Sequence, residues 1–271
     1  MEQIRHQTVG LALGGGVARS FANIGVLNVL ARAQIHLDYL TASSAASIIG
    51  AIYASGVSLE ETNQIARHTR WKDLLAISWK APWRGILCSR NIEKFLQRHC
   101  RSRYFEDFPL PFGVIAAELM SGEERLFLSG DIVPAVSASC SIPGVFQPVQ
   151  VGKRLYIDGC YVNQIPAAAL RRMGADIVIG CDVSRGALAV KRKVPRNMFA
   201  ILQYLVALHS QKTANKGRVE SDILIEITVN DIRLVDLHRV VELIERGEQA
   251  AERVLPILQR RLASSNSPQT A

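Results

Sequence analysis

The sequence predicts an α/β domain with a mainly parallel central sheet. Short apolar runs typical of strands alternate along the chain with segments whose apolar residues recur at helical spacing. Parallel neighbouring strands need a long crossover connection, usually a helix, whereas a tight turn joins antiparallel strands. Strands that alternate with helices therefore indicate a parallel sheet. The 271 residues, 48% of them apolar and 21% charged, are enough to bury the core of one such domain.

The first strand-and-helix unit contains a glycine-rich loop. The apolar run 9–13 ends in Gly14, Gly15 and Gly16, and apolar residues then follow helical spacing over 17–30. Glycine amides and a helix start can bind an oxyanion or a phosphate. A tight structural loop is one alternative. A dinucleotide site with Asp38 as the ribose-binding acid is another, although Arg19 stands at the third glycine position and Asp38 precedes the next strand.

The second unit has a single serine between its strand and its helix. A strand-like run extends to Ala42 and a helical run begins at Ala45, so Ser44 lies at the junction. In a nucleophile elbow such a serine projects its hydroxyl from the sheet, and the helix N-terminus faces the anion formed in the reaction. The usual pattern of such an elbow is Gly-x-Ser-x-Gly. This chain has Ala42 and Ala46 at the two glycine positions, and each methyl group adds strain of about 1 kcal/mol. The alternative is an ordinary helix N-terminus capped by Ser43 or Ser44.

The remaining chain continues the alternation of strands and helices. Ser58 is the predicted N-cap of a helix over 57–69. The other predicted elements are helices over 91–100, 132–138, 167–173, 198–212 and 237–262, the last with a break near Gly247, and strands over 112–118, 124–128, 176–182 and 223–229, with a hairpin over 149–157. We expect residues 1–263 to form a single domain and residues 264–271 to form a polar, disordered tail.

Two regions and the overall charge concern possible partners. Residues 71–85 contain Trp71, Trp79 and Trp83 among basic residues, which suits a lipid headgroup interface or, alternatively, a flap packed on the core. Residues 191–196 form a basic loop, either solvated surface or a phosphate-binding patch. The net charge of +8 favours an anionic partner, such as a phospholipid surface or nucleic acid.

The cysteines, the N-terminus and the hydropathy together predict a cellular environment. The five cysteines are scattered without a C-x-x-C pair, which argues against a disulfide framework and a zinc site. The polar N-terminus does not have the pattern of a secretory signal, and no apolar run of the sequence is long enough to cross a bilayer. We therefore expect a soluble, cytoplasmic protein whose membrane contact is peripheral, at the inner membrane surface.

Four motifs in order resemble those of the patatin-like phospholipase family. Residues 11–20 resemble its glycine-rich oxyanion loop with the following arginine, and 42–46 fall where the family has Gly-x-Ser-x-Gly. Residues 138–149 are similar to a family signature, and 158–160 stand at its Asp-Gly-Gly/Ala motif. The likeness covers nearly the whole chain. It implies a three-layer α/β/α sandwich with a mainly parallel sheet.

The resemblance also implies a site and a reaction. Ser44 would be the nucleophile and Asp158 the base of a dyad without histidine, with backbone amides of Gly14 to Gly16 as the oxyanion hole. Arg19 would support that loop or meet a phosphate. Burial would have to raise the pKa of Asp158, because a free aspartate is a poor base. The implied activity is phospholipase A or lysophospholipase-type ester hydrolysis, with a phospholipid or lysophospholipid substrate, no metal or other cofactor and no nucleic acid partner.

Several positions depart from the family pattern. Besides the two elbow alanines, these are Val17 and Ser20 around the oxyanion loop, Asn23 where histidine is common, and Cys160 in the Asp-Gly motif. The alternative to an active hydrolase is therefore a catalytically weak or inactive relative that binds lipid or a protein partner. His238 is the best candidate for a conventional triad, although a surface histidine on a helix explains it more simply.

Overall fold

The computed structural model describes residues 7–78, 83, 85–184 and 198–265. The strands within these residues are β1 (Val9–Leu13), β2 (Tyr39–Ser43), β3 (Ala76–Ile77), β4 (Leu87–Cys88), β5 (Phe112–Glu118), β6 (Glu124–Phe127), β7 (Val149–Val151), β8 (Arg154–Asp158), β9 (Ile177–Asp182) and β10 (Ile223–Glu226). The α-helices are α1 (Ala22–Arg32), α2 (Ala46–Ala54), α3 (Leu59–His68), α4 (Trp71–Leu74), α5 (Arg90–His99), α6 (Ile132–Ser139), α7 (Ala167–Met173), α8 (Met198–Glu220) and α9 (Val240–Ser265).

The central sheet is mainly parallel, as the sequence predicts. Its strands follow the order β10-β9-β1-β2-β5-β8-β7, and β6 also pairs with β5. The five strands from β10 to β5 run parallel, while β6, β7 and β8 pair antiparallel. The small β3–β4 hairpin lies outside this sheet.

Side chains of β1 alternate between two apolar cores, one on each face of the sheet. Val9, Leu11 and Leu13 belong to the larger core, with α1, α2 and α9. Ala12 points to the opposite face and packs in a smaller core with Leu170 of α7 and further residues of α7 and α8. A strand buried on both faces is typical of a parallel sheet covered by helices, so the predicted three-layer α/β/α arrangement is confirmed.

The predicted break near Gly247 is wrong. Helix α9 runs without interruption through this position, where a Cβ atom would lie 1.9 Å from the carbonyl oxygen of Ala22. On the facing helix, a Cβ at Gly25 would lie 2.0 Å from the carbonyl oxygen of Ile244. The two glycines therefore allow the backbones of α1 and α9 to approach closely at their crossing, and Gly247 serves packing rather than termination.

Most other predicted elements are present, and the differences concern their ends. Ser58 caps α3 through a hydrogen bond from the Glu61 amide to its hydroxyl, at 3.1 Å. Helix α8 continues to Glu220 instead of ending at residue 212, and α9 extends to Ser265, into the predicted tail. Among the described helices, none combines the length and apolarity that a bilayer-spanning segment requires.

Candidate active site

The topology of the sheet brings the ends of β2 and β8 together. Strand β2 pairs with β5 as far as Ser43 opposite Ile115, and antiparallel β8 ends with Asp158 opposite Ala116. Strand β6 occupies the other edge of β5, so β2 and β8 share one edge and run toward each other. Ser44, the first residue after β2, is thereby placed beside Asp158.

Ser44 has the geometry of a nucleophile elbow. Its φ of 54° lies in the left-handed region, which is rare and costly for a residue with a side chain. Its Oγ donates a hydrogen bond to Oδ2 of Asp158 at 2.7 Å, and its amide donates to Oγ of Ser139 at 2.8 Å. The alternative of a serine N-cap does not apply to Ser44, because Ala45 is the N-cap of α2 and no side chain caps that helix.

The close contacts of the elbow involve glycines from neighbouring segments. A Cβ at Gly15 would lie 2.8 Å from Cβ of Ser44, and a Cβ at Gly159 would lie 2.6 Å from Oγ of Ser43. Ala42 and Ala46 are both fully buried, so the fold accommodates their methyl groups. The two alanines therefore do not prevent the strained turn.

Asp158 is buried and oriented by its own backbone neighbours. Its Oδ1 accepts a hydrogen bond from the Cys160 amide at 2.8 Å, and its amide donates to the Ser141 carbonyl at 3.0 Å. Burial raises the pKa of Asp158 to about 6, against the smaller lowering effect of the hydrogen bonds from Ser44 and Cys160. The carboxylate is thus a stronger base than a free aspartate.

Two of the three predicted oxyanion donors have other partners. The Gly14 amide donates to the Cys181 carbonyl at 3.1 Å, and the Gly15 amide donates to the Gln164 carbonyl at 3.2 Å. Within the described part of the chain, the amides of Gly16 and Ala45 donate to no protein acceptor. Gly16 lines the same cleft as Ser44. The available donors are therefore the last glycine of the loop and the residue after the serine.

Arg19 supports the segment that follows β10. Its guanidinium is buried, and Nε donates to the Ile232 carbonyl at 2.8 Å. The neighbouring Ala18 amide donates to the Leu234 carbonyl at 3.1 Å. These two bonds hold the short 3-10 helix Val17–Phe21 against this segment, and Arg19 also lines the cleft with Ser44.

Two cavities lie on either side of Val17. The cleft above Ser44 and Asp158 encloses about 720 Å³, adjoining solvent included, and Gly16 and Val17 line its wall. An apolar pocket among α1, α2, α3 and α5 encloses about 500 Å³, adjoining solvent included, and both Val17 and Ala45 line it. Val17 has a φ of 52°, unusual for a β-branched residue. This strained residue therefore forms the partition between the two spaces.

The alternative sites predicted from the sequence have structural explanations. Asp38 accepts a hydrogen bond from the Val9 amide at 2.7 Å, at the start of the parallel strands and thus opposite the glycine loop at their ends. This placement excludes the dinucleotide interpretation. His238 is exposed in a short surface 3-10 helix, as expected of a surface residue.

The tryptophan-rich region divides between the two interpretations. Trp71 is half-buried against the core, and its Nε1 donates to the Val235 carbonyl at 3.1 Å, as in a packed flap. Trp83 is 82% exposed. Trp79 and the basic loop 191–196 lie outside the described residues.

Comparison with known proteins identifies the family. A family model described as patatin-like phospholipase matches residues 11–171, which include the glycine loop, Ser44 and Asp158. The chain belongs to the patatin-like phospholipase family. The crystal structure of VipD from Legionella pneumophila has the same fold, with a TM-score of 0.54 at 12% identity, over 93% of this chain and 67% of that one.

Relatives of this patatin-like chain are mostly much longer proteins. Human patatin-like phospholipase domain-containing protein 6 is 31% identical over 184 residues, which cover 65% of this chain and 13% of that protein. The uncharacterized NTE family protein Mb1092c of Mycobacterium bovis is 29% identical over 195 residues, 71% of this chain and 53% of that protein. The chain thus spans about half, or less, of the length of these relatives.

Sequence reasoning missed two polar residues of the patatin-like site, Ser139 and Gln164. The Ser139 hydroxyl accepts from the Ser44 amide, and Gln164 contacts Gly15 through both its backbone and its side chain. Ser139 lies in the segment that resembles the family signature, and Gln164 follows Asp158 by six residues. Neither residue stands out in the sequence, because Ser137 and Ser141 flank Ser139 and Asn163 directly precedes Gln164, so no local signal could have identified them.

Proposed function

We propose that the chain is a serine lipid acyl hydrolase of the phospholipase A or lysophospholipase type, with Ser44 and Asp158 as its catalytic dyad. The observation that carries the proposal is the 2.7 Å hydrogen bond from Ser44 Oγ to Asp158 Oδ2, made by a serine in a strained turn at an open cleft. A nucleophile and its base at hydrogen-bond distance form the minimal unit for acyl transfer.

In the acylation step, Asp158 accepts the proton of Ser44 while Oγ attacks the ester carbonyl carbon. The carbonyl oxygen becomes an oxyanion in the tetrahedral intermediate. The amides of Gly16 and Ala45, which have no acceptor within the described part of the chain, are the proposed donors to it, each worth about 3 kcal/mol in comparable sites. Collapse of the intermediate breaks the ester bond, and the leaving alcohol takes the proton from Asp158. Ser44 is then an acyl ester.

Deacylation repeats the same proton transfers with water as the nucleophile. Asp158 Oδ2 accepts a proton from the water that attacks the acyl carbon, and the proton then returns to Ser44 Oγ as the fatty acid leaves. The second carboxylate oxygen keeps its hydrogen bond from the Cys160 amide throughout, so the base does not rotate between the steps. In this proposal no metal or other cofactor takes part in either step.

The surroundings of Ser44 support an apolar acyl chain as part of the substrate. Ala45, directly after the proposed nucleophile, lines the apolar pocket, and Val17 lines both this pocket and the cleft. Each methylene group of an acyl chain that enters this pocket would contribute about 0.8 kcal/mol of favourable transfer free energy to binding. A phospholipid or lysophospholipid supplies both this chain and a polar leaving group for the open cleft.

We also propose peripheral contact with a membrane surface at the cytoplasmic face, through Trp83. Its side chain is exposed, and so are two further apolar side chains of the same region of the sequence, Ile77 and Ile86, on and beside the β3–β4 hairpin. Tryptophan at such a position suits the headgroup region, and the net charge of +8 favours anionic lipids. Sedimentation with anionic vesicles tests this part, because Trp83→Ala should weaken binding and leave hydrolysis of a soluble ester unchanged.

The decisive experiment for the reaction is labelling with a fluorophosphonate probe, together with turnover of a short-chain ester. Wild type should react with the probe, whereas Ser44→Ala should lose both labelling and turnover, and Asp158→Asn should lose most of both. Ser43→Ala is the matched control, because it removes the neighbouring hydroxyl, which donates to Cys160 Sγ at 3.7 Å and not to Asp158. A folded wild type without labelling or turnover would refute the hydrolase and favour the inactive lipid- or partner-binding relative.

A further inference from the structure

Gln164 holds the glycine loop at two points. It lies between β8 and α7, the residue is 3% exposed, and it lines the cleft with Ser44. Its backbone carbonyl accepts a hydrogen bond from the Gly15 amide at 3.2 Å, and its side-chain Nε2 donates to the Gly15 carbonyl. Both polar groups of Gly15 are thus bound to this one residue.

The bond to the Gly15 carbonyl also determines where the next amide points. The carbonyl of Gly15 and the N–H of Gly16 belong to one planar peptide unit, in which they point in opposite directions. Glycines on both sides leave this unit free to rotate, since neither has a side chain that restricts it. By holding the carbonyl, Gln164 therefore fixes the direction of the Gly16 N–H, which has no acceptor among the described residues.

We infer that Gln164 is a positioning residue of the oxyanion hole. It acts through Gly16 and does not itself contact the reacting atoms. Its Oε1 has no hydrogen-bond partner among the described residues, so the bond to Gly15 is the one its amide side chain makes there. This inference rests on the proposed hydrolase function. Gln164 would stabilise the transition state, through the Gly16 amide, and would not contribute to substrate binding.

Gln164→Met tests the inference with little change in volume. Methionine keeps the backbone carbonyl that binds the Gly15 amide and removes only the side-chain donor. Release of the peptide unit should lower kcat for a short-chain oxygen ester by about 10- to 100-fold, because an error of about 1 Å in such a donor has this effect. KM should change by less than about twofold, since the bond matters in the transition state and not in the ground state.

A comparison of an oxygen ester with its thionoester separates positioning from general damage. Sulfur is a much weaker hydrogen-bond acceptor than oxygen, so an oxyanion hole accelerates the oxygen ester far more than the thionoester. Gln164→Met should therefore lower the oxygen-to-sulfur rate ratio by about the same factor as kcat. Thr213→Val is the control: it removes a 2.9 Å hydrogen bond to the nearby Cys160 carbonyl without touching the loop, and it should leave the ratio unchanged.

The outcomes distinguish this inference from the function on which it rests. An unchanged ratio in folded Gln164→Met would overturn the positioning role. If that variant does not fold, Gln164→Asn replaces it, because its amide is one methylene too short to reach Gly15, and it should show the same loss of ratio. Absence of wild-type turnover on either ester would instead refute the hydrolase, and the inference with it.

Discussion

Replacing the buried base should stabilise the protein while it removes activity. Burial raises the pKa of Asp158 to about 6 from its ordinary 3.8, so the folded chain binds a proton that the unfolded chain releases between these values. The free energy of unfolding therefore falls as the pH rises from about 4 to 6. Each unit of pKa shift corresponds to about 1.36 kcal/mol. Above pH 6, the ionised carboxylate therefore lowers the free energy of unfolding of the wild type by about 3 kcal/mol relative to the protonated form. Asparagine does not carry this cost.

Thermal and urea unfolding of wild type and Asp158→Asn between pH 4 and 8 measure this effect. The two proteins should be almost equally stable near pH 4, and the variant should gain about 3 kcal/mol by pH 8, or roughly 5–10 °C in Tm. Asp231→Asn is a control of opposite sign, because Arg246 and Arg239 lower the pKa of Asp231. That variant should be less stable than wild type at pH 7, with the difference shrinking in acid.

A stability difference between wild type and Asp158→Asn that does not depend on pH would refute this reasoning. It would mean that the carboxyl has the same proton affinity in the folded and unfolded chains. The base strength proposed for the reaction would then lack its physical cause, because burial would not have raised the pKa. The stability test is therefore also a test of the mechanism, made without any substrate.

Two further predictions concern the pH profile and the helix crossing. Turnover of a soluble ester should rise with pH through an apparent pKa near 6, because only ionised Asp158 accepts the serine proton; a profile flat from pH 5 to 8 would contradict this. Gly247→Ala should cost about 3 kcal/mol in urea unfolding, because its Cβ would lie 1.9 Å from the Ala22 carbonyl. Exposed Gln249→Ala on the same helix should change stability by less than about 0.5 kcal/mol.

The sequence predicts the fold well because its signals are local. Apolar periodicity and the glycine loop place most strands and helices, and their alternation predicts the parallel sheet. The pairing of Ser44 with Asp158 has no such local signal: it came from the resemblance to a family, and in the structure it depends on two strands meeting on one edge of β5.

The details that the sequence could not provide depend on contacts between distant segments. The partners of the Gly14 and Gly15 amides are Cys181 and Gln164, about 150 residues away or more. Gly247 reads as a helix breaker when only its own helix is considered, and its purpose appears only beside the facing backbone of α1. The sequence does not show which backbone amides already have an acceptor, so the amides proposed as oxyanion donors could be chosen only from the structure.

A dyad must replace both functions that a histidine and its aspartate share in a triad, proton affinity and orientation. Burial supplies the first, since it raises the pKa of Asp158 toward the range of an imidazole. Backbone geometry supplies the second: the Cys160 amide holds Oδ1, and pairing with β5 fixes the end of β8, so Oδ2 is left facing Ser44. In the proposed dyad, the turn after β8 thus orients the base, and the proposed reaction requires no third side chain.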